Sequence, residues 1–426
     1  MKLIQLEEKI FDEFSKQHIL GTFYQTSQYA KLMEKQGMKY LYLGLISDSN
    51  KIKAATLVLV QEKKSVFGKI RNAYCPRGFL IDYDDLELLK LWASELKKFL
   101  KKQKIVYLRV DPPIENVKRL QNGEIDYDGF NNYHVIENLA ASGFKHLGFN
   151  KAFETLKPRW NVIIRNKTNS DEIYNNFSKD IKSKIRKAQN MGVTIEKGTS
   201  EDIKKFYSYV SKKHIRSLKY YQDFYEIFKD SDMCEIYFAH LNPQRYLEKS
   251  REQYDQELIK NNALLEQIQN NNQGSLESII NKKMVSDNAI SQYKENIVTA
   301  TKLLGLYPEG ISLSTAFIIK YKQEIFFLID GFNKNSEIIT STNLLRWEII
   351  KHYVDKGYNT INMNGITGIF NPKNKFYGLY RSKISYGGDV VEYIGEFDLV
   401  IKSFIYGIYT NIKPLQSYLK KDMKEW

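Results

Sequence analysis

Cysteine, proline and histidine are scarce in this chain, with two, eight and six among 426 residues. Two cysteines, Cys75 and Cys234, exclude a disulfide framework and a cysteine-built metal cluster, and the histidines show no metal-ligand spacing, so the expected chemistry is metal-free. No apolar run approaches the roughly 20 residues that a membrane-spanning helix needs. Residues 1–20 carry no charged, then apolar, then small-residue leader, which sets the expectation of a cytoplasmic protein, at most peripheral at the inner face of the membrane. Also missing is an Arg/Gln-x-x-Gly-x-Gly/Ala run after a strand, the glycine-rich loop whose free N–H groups would hold the pyrophosphate of an acyl-CoA at a helix start. No Ser-His-Asp or Cys-His arrangement suggests a covalent nucleophile, and no cofactor is expected.

What the chain does have is apolar residues at 42%, enough to supply the cores of two ordinary domains and an insertion. Its formal charge of +14 suits an anionic partner such as RNA phosphates, a lipid pyrophosphate or an acidic membrane face. The sign does not choose among these, and the abundance of Lys, Asn, Ile and Tyr is also what a compositional bias of the source would produce.

Read in order, residues 15–37 have a helical pattern, 40–47 and 52–60 form a hairpin across Asp48-Ser49-Asn50, and 71–79 is a third strand. An amphipathic helix at 86–104 leads into a compact strand at 105–110. The same order recurs with a helix at 201–215, strands at 235–241, 314–319 and 325–329, a helix at 342–353 and a strand at 360–363. Two copies of one α/β unit are implied. The first copy turns in three residues where the second inserts residues 242–301, which is too long for a hairpin loop. Leu247, Tyr254, Leu258, Leu265 and Ile268, then Leu276, Ile279, Ile290, Tyr293 and Ile297, fall at heptad-like spacings and predict a two-helix coiled-coil arm with polar Asn261, Lys283 and Ser286 in its seam. The expected units are residues 1–150 completed by 387–426, then 151–241 with 302–386, and the arm. After the 360–363 strand, Gly365 and Gly368 allow a sharp turn, and a loop with Tyr380, Arg381, Lys383 and Tyr386 follows before strand 390–394. By residue type alone this is a basic surface hairpin.

The series Gly378-Leu379-Tyr380-Arg381-Ser382-Lys383, Gly387-Gly388 and Glu392-Tyr393-Ile394-Gly395-Glu396-Phe397 resembles the closing signature of the FemABX family of Fem- and MurM-type aminoacyltransferases. Tyr74-Cys75-Pro76-Arg77-Gly78 with Ile81-Asp82-Tyr83, Leu108-Arg109-Val110-Asp111-Pro112, Pro158-Arg159-Trp160, Lys182-Ser183-Lys184-Ile185-Arg186 and Asn364-Gly365 match the family in order. The resemblance implies two tandem acetyltransferase-like (GNAT-like) domains. It also implies an aminoacyl-tRNA donor supplying glycine, alanine or serine, and an acceptor amine on the stem peptide of a lipid II-type peptidoglycan precursor.

Aminolysis of such an ester needs a neutral amine, a place for the oxyanion and removal of a proton. Asp111 matches the aspartate of the family's Asp-Pro motif and is the candidate base; a strand simply ending at Asp-Pro accounts for it nearly as well. Lys383 matches the loop lysine, suited to holding a developing negative charge or a donor phosphate. Arg77, Tyr380 and Arg381 are implied substrate contacts. The chain departs from the family at Met33, where a lysine is usual, at His214, where an arginine is expected, and at Ser382 and Tyr386, where phenylalanines flank the lysine. Lys35, His214 and Arg216 are the candidates to take over anion contacts. Lys182, Lys184, Arg186 and Lys187 lie on one predicted helix and could neutralise tRNA phosphates with steep salt dependence; most such runs are solvated faces. Tyr220, Tyr221, Phe224 and Tyr225 fit either base stacking or a core. Two other readings stay open: an acyl-CoA-dependent N-acyltransferase, separable by CoA dependence, and a non-catalytic RNA- or precursor-binding paralogue, suggested by Met33, His214 and Ser382.

Overall fold

The computed structural model describes residues 1–65, 68–211, 216–270, 276–334 and 341–411. Its strands form two mixed sheets. The first runs Lys2–Gln5, Lys39–Ile46, Ile52–Ser65, Gly68–Cys75, Ile105–Val110, Phe397–Val400 and Phe144–His146. The second runs Glu115–Lys118, Asp389–Tyr393, Trp160–Ile164, Thr360–Ile366, Glu324–Phe332, Ile311–Tyr321, Cys234–Leu241 and Thr194–Lys197.

Local chemistry accounts for the crossover in each sheet. The Asp85 side chain caps Leu88 N at the start of helix Leu86–Lys102, and Leu89, Trp92, Ala93, Leu96 and Leu100 form its buried stripe. That helix returns the chain so that Gly68–Cys75 and Ile105–Val110 lie parallel after two antiparallel pairings. The second sheet repeats this. Cys234–Leu241, Ile311–Tyr321 and Glu324–Phe332 pair antiparallel, helix Ser341–Val354 crosses over, and Thr360–Ile366 joins in parallel. The fold is therefore α/β with the acetyltransferase-like strand order present twice.

Each sheet is then extended by a strand from elsewhere in the chain. Phe397–Val400 lies antiparallel beside Ile105–Val110, and Trp160–Ile164 lies antiparallel beside Thr360–Ile366. This corrects the expected boundaries in two places. Asp389–Tyr393, assigned to the first unit, pairs in the second sheet with Trp160–Ile164 and with Glu115–Lys118, itself within the expected first unit. Four of the five residues of Asp389–Tyr393 are buried, so its pattern reads the same in either sheet. After Asp389–Tyr393 the chain crosses back to the first sheet through residues 394–396, where Gly395 adopts φ +100°. Residues 412–426 of the expected C-terminal segment lie outside the described residues.

An aromatic core joins the units: Phe23 packs edge-on to Phe228 and lies 5.2 Å from the Phe326 ring, and Tyr24 and Tyr29 share the same cluster. The region expected as one helix at 15–37 is two, Glu8–Gln17 and Ser27–Lys35; Gly21 separates them and the Thr26 side chain caps the second.

Helices Pro243–Asn270 and Leu276–Leu306 occupy the expected insertion between two adjacent antiparallel strands. Asn261 donates to Ser286 Oγ at 3.1 Å and to Asp287 Oδ1 at 2.8 Å, so the predicted polar seam is present. Leu264 (8% exposed) faces it rather than Leu265 (41%), a shift of one position.

The expected cationic loop is also corrected, because Tyr377–Ile384 is a helix. Asn374 Oδ1 accepts from Phe376 N just before it, and Gly387, at φ +75°, closes it with a bond to Ile384 O. Two residues apart on a helix point to opposite sides: Lys383 is buried and Arg381 exposed.

Candidate active site

Asp111 directly follows strand Ile105–Val110, where Pro112 fixes the chain, and its carboxylate turns toward the end of the parallel neighbour strand. Its Oδ1 accepts from the Tyr74 hydroxyl at 2.9 Å and from Arg77 N at 2.8 Å. Its Oδ2 accepts no hydrogen bond and faces Arg77 Nη1 at 3.4 Å. Arg77 sits at φ +49°, a conformation of order 1–3 kcal/mol above the ordinary ones for a residue with a Cβ. The bond to Asp111, a 2.7 Å bond from Nη2 to Pro158 O and the Tyr393 ring 4.5 Å away hold it there. Burial raises the Asp111 carboxyl above its ordinary value even though Arg77 and the two donors pull it down.

The segment that joins the two sheets supplies the next residues. Glu396 accepts from Leu156 N at 2.7 Å, and Thr155 Oγ1 donates to Lys157 O at 2.5 Å, fixing the backbone on either side of Lys157. Burial pushes the Glu396 carboxyl up to about 7. The Lys157 side chain is 5% exposed. Its Nζ donates to the Tyr29 hydroxyl at 3.1 Å and stands 4.4 Å from the Tyr24 ring centroid. Burial first, then the neighbouring Arg216 charge, push its ammonium down to about 7 against the pull of Asp111.

Pro158 links this cluster to the other sheet. Gly365 packs so closely on it that a Cβ there would meet Pro158 Cβ at 2.4 Å, and Gly365 O accepts from Lys383 Nζ at 2.7 Å. Asp111, Arg77, Pro158, Gly365 and Lys383 thus form one connected run across the seam. Glu324, its carboxyl raised by burial and held by Asn362 at 2.8 Å, faces Arg77 from the second sheet.

Of the residues singled out from the sequence, the structure brings Asp111, Arg77 and Lys383 into this run. Arg216 lies beside it, with its guanidinium 4.9 Å from the Tyr220 ring. Tyr380 is placed apart: its hydroxyl donates to Gln121 O at 2.6 Å and its ring packs edge-on to Phe370. Arg381 is exposed on the outer face of its helix, and Lys35 is exposed at the end of Ser27–Lys35, whose inner face buries Tyr29 and Met33. His214 lies outside the described residues.

Lys182, Lys184, Arg186 and Lys187 all fall on helix Lys179–Asn190, which buries Ile181, Ile185 and Ala188. Lys182 donates to Asn175 O at 2.8 Å and Lys184 pairs with Asp180 at 2.7 Å, whereas Arg186 and Lys187 are exposed. Tyr220, Tyr221, Phe224 and Tyr225 are buried in the shared aromatic core. Sequence reasoning missed Lys157 and Glu324; the only pointer to Lys157 is its place immediately before Pro158-Arg159-Trp160.

A sequence profile of the FemAB family matches residues 6–414. Aminoacyltransferase FemA of Staphylococcus epidermidis is 25% identical over 425 residues, covering 98% of this chain and 100% of that protein. Its Staphylococcus aureus counterpart is 24% identical over 98% of this chain and 99% of its own length. The crystal structure of FemX superposes with a TM-score of 0.76 across 96% of this chain and 99% of that one at 21% identity, a likeness of fold.

Proposed function

The chain belongs to the FemAB family, and from that premise we propose that it is an aminoacyltransferase of peptidoglycan bridge synthesis. It moves glycine, alanine or serine from the corresponding tRNA to an amine on the stem peptide of a lipid II-type precursor. The observation that carries the reading is Asp111: a buried carboxylate with one oxygen fixed by Tyr74 and Arg77 and the other accepting no hydrogen bond. An anionic oxygen so presented suits the ammonium of an incoming acceptor.

The reaction asks for little beyond placement, because the aminoacyl ester is already activated and aminolysis needs proton removal and oxyanion stabilisation rather than a covalent intermediate. Asp111 holds the acceptor nitrogen. Lys383 places positive charge at the Gly365–Pro158 contact, where negative charge develops on the ester oxygen. Arg77, buried against Asp111, and Arg216 beside the cluster hold substrate, and Arg186 and Lys187 meet tRNA phosphates from the outer face of their helix. No cofactor enters the step as proposed. No helix among the described residues is long and apolar enough to cross a membrane, and a lipid-linked acceptor would be met peripherally, at the inner face of the membrane.

The test is donor dependence. Product should form from charged tRNA, disappear after complete ribonuclease digestion and fail to form from acyl-CoA. Product supported by acyl-CoA after digestion would replace the reading with an N-acyltransferase.

A further inference from the structure

We propose that Lys157 is the proton carrier of the transfer: as a neutral amine it takes a proton from the acceptor ammonium held at Asp111, and as an ammonium it gives one to the departing ester oxygen. This rests on the transfer reading above.

The geometry divides the work between two groups. Asp111 is fixed by Arg77 and by two donors on one oxygen, all of which favour its charged form. A carboxylate held that way is suited to pairing with an ammonium, which also offsets the burial that raises its carboxyl above the ordinary value. Lys157 has the opposite surroundings. It reaches the same cluster from the segment between the sheets, with its backbone fixed by Glu396 and Thr155 and its amine among the faces of Tyr24 and Tyr29. Arg77 ties the two together: its N–H donates to Asp111 Oδ1 at 2.8 Å and its Nη2 donates at 2.7 Å to the carbonyl of Pro158, the residue after Lys157.

Loss of hydration among those rings disfavours the ammonium form, and the value of about 7 lies where a group can both accept and release a proton near neutral pH. Among the described residues, Arg216 from the second unit and Asp111 and Arg77 from the first act on the Lys157 charge, with the Tyr29 hydroxyl and the Tyr24 ring beside it.

The step balances as follows. The acceptor ammonium gives one proton to Nζ. The freed amine forms the new N–C bond at the ester carbonyl carbon, and the C–O bond to the nucleotide oxygen breaks. That oxygen takes the proton from the Lys157 ammonium, and Nζ then removes the second proton from the new amide nitrogen and releases it to solvent. One proton is released per transfer, and no oxidant, reductant or cofactor is consumed.

Two measurements test this. In steady-state transfer from charged tRNA, kcat/KM of the unaltered protein should rise with pH through about 7. Lys157→Met should lower it roughly a hundred- to ten-thousandfold and remove that rise. Lys157→Arg, which keeps a charge it cannot shed, should be equally impaired, while Asp111→Asn should be slower yet keep the rise. Independently of turnover, one ε-methylene resonance in 13C-lysine NMR should titrate near 7 and be missing from Lys157→Met. A Lys157→Met protein that keeps the rate or the pH limb would overturn the inference, as would the absence of any lysine titrating near 7. If Lys157→Met does not fold by circular dichroism, Lys157→Gln and the NMR titration of the unaltered protein decide. An unaltered protein that makes no product from any charged tRNA sinks the transfer reading itself; normal turnover with the limb intact in Lys157→Met sinks only the role of Lys157.

Discussion

Lys383→Ala separates a lysine built into the seam from one decorating a surface. The ammonium is buried and donates to Gly365 O at 2.7 Å, and Gly365 lies against Pro158, whose own carbonyl receives Arg77. Removing the side chain leaves a buried carbonyl short of a donor, which costs about 1–3 kcal/mol. An exposed lysine would change stability by no more than about 0.5 kcal/mol. Loss of a charge-stabilising donor at the reacting ester costs about 2.7–4 kcal/mol of activation free energy, roughly a hundred- to a thousandfold in turnover. Both effects are expected together, read by urea unfolding and by turnover at saturating tRNA and precursor. Arg381→Ala is the control, since it lies on the opposite face of the same helix and should leave both quantities nearly unchanged. Unchanged stability in Lys383→Ala would refute the buried contact. Full turnover in that variant with Arg381→Ala inactive would refute the orientation of the helix.

Asp111→Asn should reduce turnover at least a hundredfold and destabilise the fold by about 3–5 kcal/mol, because it leaves the buried Arg77 charge without its partner; denaturant unfolding beside single-turnover rates checks both. The unfolded chain keeps Lys157 protonated up to its ordinary value, while the folded chain sheds the proton near 7, so the folded state binds fewer protons between those values and stability rises with pH across that window. Relative to Lys157→Met, the unaltered protein should therefore gain up to about 1.4 kcal/mol per pH unit between about pH 7 and 9; a parallel pair of stability curves would contradict it. Replacing residues 243–306 by Asp-Ser-Asn should preserve cooperative unfolding, since the two flanking strands are already paired. It should also leave the salt dependence of tRNA binding intact, because the arm has eight basic against eight acidic residues while the whole chain carries +14. A reduced salt slope would make the arm a binding element.

The repeated α/β order was legible because apolar periodicity and turn chemistry are local: helix Leu86–Lys102 carries its stripe in plain view, and Ser341–Val354, buried on most sides, shows as an apolar run of helical length. Strand exchange was not: Asp389–Tyr393 and Trp160–Ile164 are buried almost throughout, and nothing local says which sheet buries them. Asp111 and Arg77 could be singled out because they stand in motifs, whereas their contact depends on the parallel register of two strand ends. The helix Tyr377–Ile384 was missed because eight residues with a glycine at the second position and adjacent aromatics carry little helical pattern. Lys157 was invisible for a further reason. Its chemistry comes from burial among Tyr24, Tyr29 and Arg216, which lie far from it in sequence and meet only when the two units pack.

The most direct measurement is mass spectrometry of the stem peptide after one reaction containing the protein, a lipid-linked peptidoglycan precursor and a mixture of charged tRNAs. The stem amine should gain the mass of one aminoacyl residue, and the gain should vanish with Asp111→Asn. An unmodified stem peptide with every charged tRNA, or a gain that Asp111→Asn leaves untouched, would contradict transfer at this seam.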